Sequence, residues 1–130
     1  MKYLSEQEII KINRYVIHKY SPSEPVGVIH STALNMIVET PKQNVFGKEL
    51  YPGVIEKSAF IFKSIIQKHV FINGNKRTAF LALNMFLNMN GYKLNVDKVE
   101  AVSFTVKVAT ESLTDKEINT WIGTHTEKMI

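Results

Sequence analysis

Apolar residues in the first twenty positions recur at helical spacing. Ile9, Ile10, Ile12, Tyr15 and Val16 follow Ser5-Glu6-Gln7-Glu8, a serine with a glutamate three residues on, which is the signature of a capping box. The pattern predicts a first helix from about Ser5 to Tyr20. Ser21-Pro22-Ser23-Glu24-Pro25 stops it, because two prolines so close together cannot continue a helix. A second helix is predicted over about His30 to Glu39, ending before Pro41. Pro41 to Pro52, with Gly47 inside it and Gly53 just beyond, reads as a loop or short hairpin. A third helix, about Val54 to Lys68, gathers Ile55, Ala59, Phe62 and Ile66 on one face, and Phe60, Ile61 and Ile65 widen that face.

A fourth helix is predicted from Asn75 to Asn90, with Gly91 just past its end, where a left-handed residue is wanted. Ala79-Phe80-Leu81-Ala82-Leu83 and Met85-Phe86-Leu87 make it apolar almost all round, and only Arg77, Asn84 and Asn88 interrupt it, on one stripe. A helix of this kind is expected at the centre of a fold. After an extended piece at Tyr92 to Val96, Asp97 with Glu100 can cap a fifth helix, and the box Thr114-Asp115-Lys116-Glu117 opens a sixth containing Ile118, Trp121 and Ile122. The expected fold class is all-α: a bundle of about six helices around a buried central one, with at most one small β-hairpin, in one domain spanning residues 1–130.

Composition narrows the function classes. A chain of 130 residues can bury a core without disulfides or a structural metal, and 45% hydrophobic with 22% charged residues is ordinary globular usage. No stretch approaches the roughly 18 consecutive apolar residues of a membrane span, so no membrane partner is expected. The absence of cysteine excludes disulfides, thiolate metal sites and a cysteine nucleophile. Met1-Lys2-Tyr3-Leu4-Ser5-Glu6 has no apolar core of a signal peptide, which points to a cytoplasmic location. The formal charge of +4 is too modest to imply direct nucleic-acid binding. Its distribution says more: Lys57 to Val96 contains no Asp or Glu, while Lys57, Lys63, Lys68, Lys76, Arg77 and Lys93 all lie there. An anionic ligand is favoured near this segment.

The run His69-Val70-Phe71-Ile72-Asn73-Gly74-Asn75-Lys76-Arg77-Thr78 joins the third helix to the start of the fourth. Helix N-termini present unpaired N–H groups and about half a positive elementary charge, so such a junction is a physical anion site. Gly74 lets the backbone approach a ligand closely, and Asn73 and Asn75 tolerate the dihedrals of a tight phosphate-wrapping turn. Lys76 and Arg77 place two cations where cations are unfavourable unless an anion is present. His69, at the other side of the loop, carries the side chain best suited to take a proton near neutral pH. Phe71 can anchor the loop in the core. His18, His30 and His125 lack acidic or metal-ligand spacing and read as surface or structural residues.

As a string, HVFINGNKRTA resembles the signature of the Fic/Doc family, HxFx(D/E)GNxR, and specifically its Doc-like, death-on-curing toxin branch, in which Lys follows the Asn. Phe46-Gly47-Lys48-Glu49-Leu50-Tyr51-Pro52 and Asn90-Gly91-Tyr92 look like the corresponding parts of that branch. The resemblance implies that His69 is the general base activating a protein hydroxyl, that Gly74 and Asn75 cradle phosphates, and that Arg77 binds phosphate charge. Lys76, where adenylylating Fic members usually have Gly, implies a reversed ATP whose γ-phosphate is transferred. It further implies a toxin that modifies a threonine of elongation factor Tu, stops translation and is held inactive by an antitoxin of the Phd type.

Asn73 stands where the family usually has the Asp or Glu that holds Mg2+, and a neutral amide is a much poorer ligand for a hard dication. Phe80 replaces the further Arg that adenylylating members carry three residues after Arg77, and Gln67 stands where the Doc pattern has a basic residue, with Lys63 and Lys68 nearby. Pro41 to Pro52 matches the family's flap, an edge that pairs with the target, so Lys42, Gln43 and Lys48 are expected to tune specificity. Two alternatives stay open: transfer of AMP to a protein hydroxyl, and a catalytically silent nucleotide-binding or interaction domain, suggested by Asn73.

Overall fold

The computed structural model describes residues 1–130. Six α-helices carry the fold: α1 (Glu6–Tyr20), α2 (Ser31–Glu39), α3 (Val54–Gln67), α4 (Asn75–Met89), α5 (Lys98–Thr110) and α6 (Asp115–Thr124). Three of them start on the capping residues the sequence offers. Ser5 and Thr114 each accept from the backbone N–H three residues on, while Glu8 and Glu117 reach back to complete reciprocal boxes. Asp97 caps α5 by accepting from the Glu100 N–H.

α4 lies at the centre, packed against α3, α1 and α5. Thr78, Ala79, Ala82, Leu83, Phe86 and Leu87 are buried, so the helix is enclosed on two adjoining stripes, while Asn88 and Met85 reach the surface. Facing it, α3 buries Ile61, Phe62, Ile65 and Ile66 together with three polar residues, Lys57, Ser58 and Ser64. An aromatic column ties in the C-terminal helices: Phe62 of α3, Phe104 of α5 and Trp121 of α6 stack with centroid spacings of 5.7 and 3.8 Å, and His125 continues the stack at 4.0 Å. His125 also bonds the Trp121 carbonyl through Nδ1 at 2.7 Å and meets Glu100 through Nε2 at 3.1 Å, a structural role.

Two small antiparallel pairs complete the fold. β1 (Asn44–Val45) and β2 (Lys48–Glu49) form the expected hairpin. The second pair is not a hairpin: β3 (Tyr92–Leu94) joins β4 (Thr126–Lys128), with Tyr92 opposite Lys128. The extended nature of Tyr92 to Leu94 was legible, but three residues after α6 carry no strand periodicity, and only the position of α6 brings them to β3. No helix is long and apolar enough to cross a membrane.

Candidate functional site

The loop from His69 to Gly74 is held by three neighbours. Phe71 is buried in the core and forms a backbone bridge with Val28 in the connection between α1 and α2. On either side of that bridge the Ile29 N–H donates to the Val70 carbonyl at 2.8 Å and the Ile72 N–H to the Gly27 carbonyl at 3.0 Å. From α1, the buried Asn13 donates to the Asn73 carbonyl at 2.8 Å and to the Thr78 hydroxyl at 3.1 Å. A buried amide spent on the loop and on the first turn of α4 together fixes one against the other.

Asn75 closes the loop on itself. Its Oδ1 accepts from the Phe71 N–H at 3.0 Å and its Nδ2 donates to the Phe71 carbonyl at 2.8 Å. The Asn75 side chain is therefore committed to the backbone, and Asn75 offers a ligand its main-chain N–H. Gly74 also differs in emphasis from the sequence reading. It is left-handed, with φ +75°, and a Cβ there would lie 3.2 to 3.4 Å from Ile17, Val16 and Asn13, so its lack of a side chain serves contact with α1. Asn73 and Asn75 tolerate unusual dihedrals but neither has a positive φ; Gly74 and His69 absorb the turn instead. The Asn73 amide donates to the Pro25 carbonyl at 3.1 Å, which leaves its Oδ1 free.

α4 begins without a capping side chain, unlike α1, α5 and α6. The N–H groups of Asn75, Lys76 and Arg77 find no acceptor in the protein. Lys76 and Arg77 are exposed and enter no ion pair. Three open donors, the positive end of the helix dipole and two unneutralised cations converge on one turn, and this turn can bind a phosphate-bearing anion. Arg77 is supported from α1, with its guanidinium carbon 4.3 Å from the centre of the Tyr20 ring.

His69 follows the C-terminus of α3 with φ +46°, exposed and without a hydrogen-bond partner. A histidine in the left-handed region holds its backbone in a conformation that glycine adopts more cheaply. The imidazole is free to accept a proton from a bound hydroxyl.

The metal fit is poor. The loop offers one free amide oxygen, that of Asn73, and the chain contains no group of three His, Asp or Glu residues placed to hold an ion. Magnesium usually takes one or two carboxylates along with substrate phosphates, and no carboxylate stands in this loop.

A cleft of about 510 Å3 runs from the hairpin root at Leu50 and Tyr51, along Phe60, Lys63 and Lys68 of the third helix and its end, to Asp115 of α6. It stops one residue short of His69. Lys63, a stand-in for the missing basic residue at Gln67, is paired with Asp115 at 2.6 Å, whereas Lys68 is exposed and unpaired. Burial, reinforced by Asp115 and opposed by Lys63, raises the Tyr51 phenol above its ordinary range. Of the expected flap residues, Lys48 lies in β2 and Gln43 closes the hairpin by accepting from the Leu50 N–H. Lys42 turns away, 3.5 Å from Glu39 and over the Tyr3 ring. Sequence reasoning missed Asn13 and Tyr20, each of which acts through a residue distant in the chain. It counted Lys57 among the cations near the loop, whereas Lys57 is buried and paired with Glu49, eight residues away.

The family model described as Fic/DOC family matches residues 3–87. The chain is also similar to Toxin Doc of Mycolicibacterium smegmatis, 38% identical over 64 residues, which is 49% of this chain and 49% of that protein. The chain thus matches about half the length of that curated relative.

Proposed function

The chain belongs to the Fic/DOC family, and from that premise we propose that it is a toxin of a toxin–antitoxin pair that transfers the γ-phosphate of ATP to a Ser or Thr hydroxyl of a translation factor. The observation that carries the reading is the uncapped start of α4, where Lys76 and Arg77 stand without carboxylate partners beside three unfilled N–H donors. Similarity to a protein named Toxin Doc supports the toxin role. The proposed target is a threonine of elongation factor Tu in the cytoplasm, with an antitoxin of the Phd type as the restraining partner.

In this reading the N–H groups of Asn75, Lys76 and Arg77 and the Arg77 guanidinium hold the phosphate oxygens, and Lys76 fills the space that a glycine would leave open. His69 takes the proton of the target hydroxyl as its oxygen forms the bond to the γ-phosphorus. The bond from that phosphorus to the bridging oxygen breaks, its electron pair leaves on ADP, and the imidazolium returns its proton to solvent. Magnesium, where present, accompanies the nucleotide, because Asn73 contributes a neutral oxygen only.

The test is a pair of reactions with purified elongation factor Tu and then with bacterial lysate, one given γ-labelled and the other α-labelled ATP, each with a His69→Ala control. The expected outcome is His69-dependent γ-label on protein. Lys76→Gly should reduce it and open AMP transfer. Label from the α-phosphate in the native chain would replace the kinase reading with AMP transfer. Nucleotide binding with silence in both reactions would leave a binding domain.

A further inference from the structure

The outer side of α5 is unusual for a helix in water. Its inner side buries Ala101, Phe104, Thr105 and Val108, and an amphipathic helix would set charged residues opposite them. Val99, Val102 and Val106 stand there instead, three and four residues apart, at 80%, 55% and 43% exposure. Ser103, Ala109 and Thr110 continue the same side and are also exposed. The stripe carries no charge along the length of the helix. Valine loses rotamer freedom in a helix and gains nothing from hydration, so an exposed valine stripe works against α5 as it stands alone.

Charge marks one flank of the stripe. Glu100 and Lys107, two turns apart, share that flank and border a shallow groove of about 380 Å3 that Phe104 and Trp121 also line. Glu100 meets His125 Nε2 through Oε2 at 3.1 Å, and its other oxygen is free. Lys107 is exposed and enters no ion pair. The opposite flank carries one charge, Lys98, in the first turn.

Two copies of this face complement each other. Packed antiparallel about a two-fold axis at the level between Ser103 and Phe104, Val106 of each copy enters between Val99 and Val102 of the other. The same register sets Glu100 opposite the partner's Lys107, and the axis repeats that contact in reverse. Lys98 then faces the partner's Ala109, so no like charges meet. Ser103 is small at the axis and permits close approach. Antiparallel order also places each helix N-terminus beside the partner's C-terminus, which suits both dipoles. One register therefore satisfies the valines and the charges together.

We propose that the chain self-associates through α5 as an antiparallel two-fold pair, with the Val99, Val102 and Val106 stripes interlocked and Glu100 and Lys107 paired reciprocally. The inference goes beyond the proposed function and needs none of it. A second copy supplies both charges that the face calls for, in the register that its valines set. The contact is small, one face of a helix of 13 residues. It buries less than a standard interface, so the dimer is reversible, with Kd of about 10–100 µM.

Sedimentation equilibrium of the full chain over a range of concentrations tests this, with the melting temperature recorded for each variant. The native chain should pass from monomer to dimer. Val102→Glu and Val106→Glu set good helix formers in water, so they should keep the native melting temperature and raise the dimer Kd at least about tenfold. Glu100→Lys and Lys107→Glu should each weaken the dimer, and the two together should return it to within a few fold of native. The chain has no cysteine, so Ser103→Cys reports on one contact. Mild oxidation should link it to its own copy, while Lys116→Cys on α6 should stay unlinked.

A native chain that remains monomeric about tenfold above that Kd range overturns the proposal and leaves the stripe to a different protein. Self-association that both valine variants leave intact places the contact elsewhere and overturns it as well. Loss of the dimer in the valine variants, with no recovery in the double charge exchange and no Ser103→Cys link, refutes the antiparallel register. His69-dependent transfer enters none of these outcomes, so the proposed function stands or falls separately.

Discussion

Tyr20 and Arg77 are stacked, the last residue of α1 beneath the third residue of α4, with 4.3 Å between the guanidinium carbon and the ring centre. Lys19 Nζ lies 5.3 Å from the same ring, so one aromatic supports two cations beside the open N-terminus of α4. An exposed contact of this kind contributes about 0.5–1 kcal/mol. In the proposed phosphate site this contact would hold a long side chain ready for the anion and lessen the ordering cost on binding.

Tyr20→Ala is therefore expected to weaken ATP binding about two- to fivefold, and Tyr20→Phe to leave it unchanged. Calorimetric titration of the single variants and of Tyr20→Ala with Arg77→Ala checks the mechanism. If the tyrosine acts through the arginine, the double variant binds no more weakly than Arg77→Ala alone. Fully additive losses would refute the coupling.

His69 separates stability from chemistry. In the left-handed region a side chain costs about 1 kcal/mol relative to glycine, so His69→Gly should be more stable than His69→Ala by roughly that amount in urea unfolding. Both should abolish transfer while ATP affinity stays within a few fold. A His69→Ala protein more stable than His69→Gly would mean that the backbone at this residue is not strained.

Gly74→Ala is expected to destabilise the fold by about 1–3 kcal/mol. The added methyl meets Ile17 and Val16 at 3.2 and 3.3 Å at a residue with φ +75°, and the displaced loop should lose the Asn13 bond to the Asn73 carbonyl. Denaturant midpoints measure the first effect, and amide exchange at Asn75 to Arg77 the second. Full native stability would show that α1 yields to the methyl.

The helices were legible because their signals are local. Ser5 with Glu8, Asp97 with Glu100 and Thr114 with Glu117 each announce a helix start within four residues, and each is a cap in the structure. The loop from His69 to Arg77 was legible as a candidate site for the same reason: Gly74, two cations and a histidine lie within nine residues at a helix junction. What stayed hidden depends on tertiary placement that no local pattern encodes. Asn13 reads as an ordinary polar residue in an amphipathic helix until it is seen 2.8 Å from the Asn73 carbonyl, sixty residues away. Lys57 reads as a solvated charge because nothing in the sequence says that the hairpin folds over it. Asn75 looks like a ligand by position, and only the structure shows its amide committed to Phe71.

Asn73 offers the sharpest test of how this loop meets its anion. Asn73→Asp removes the donor to the Pro25 carbonyl and sets a carboxylate near that oxygen, a change that should lower stability by about 1 kcal/mol. The same carboxylate brings negative charge to the proposed phosphate loop, so without magnesium the variant should bind ATP more weakly than the native chain. With magnesium the sign reverses, because a charged oxygen ligates a hard dication that a neutral amide holds poorly. Calorimetric titrations of both proteins with ATP, with and without magnesium, should give crossing affinities: native tighter in chelator, variant tighter in magnesium. A native chain already strengthened by magnesium as much as the variant would show that the ion is held by phosphate and water alone, and that the amide at this position does not limit metal use.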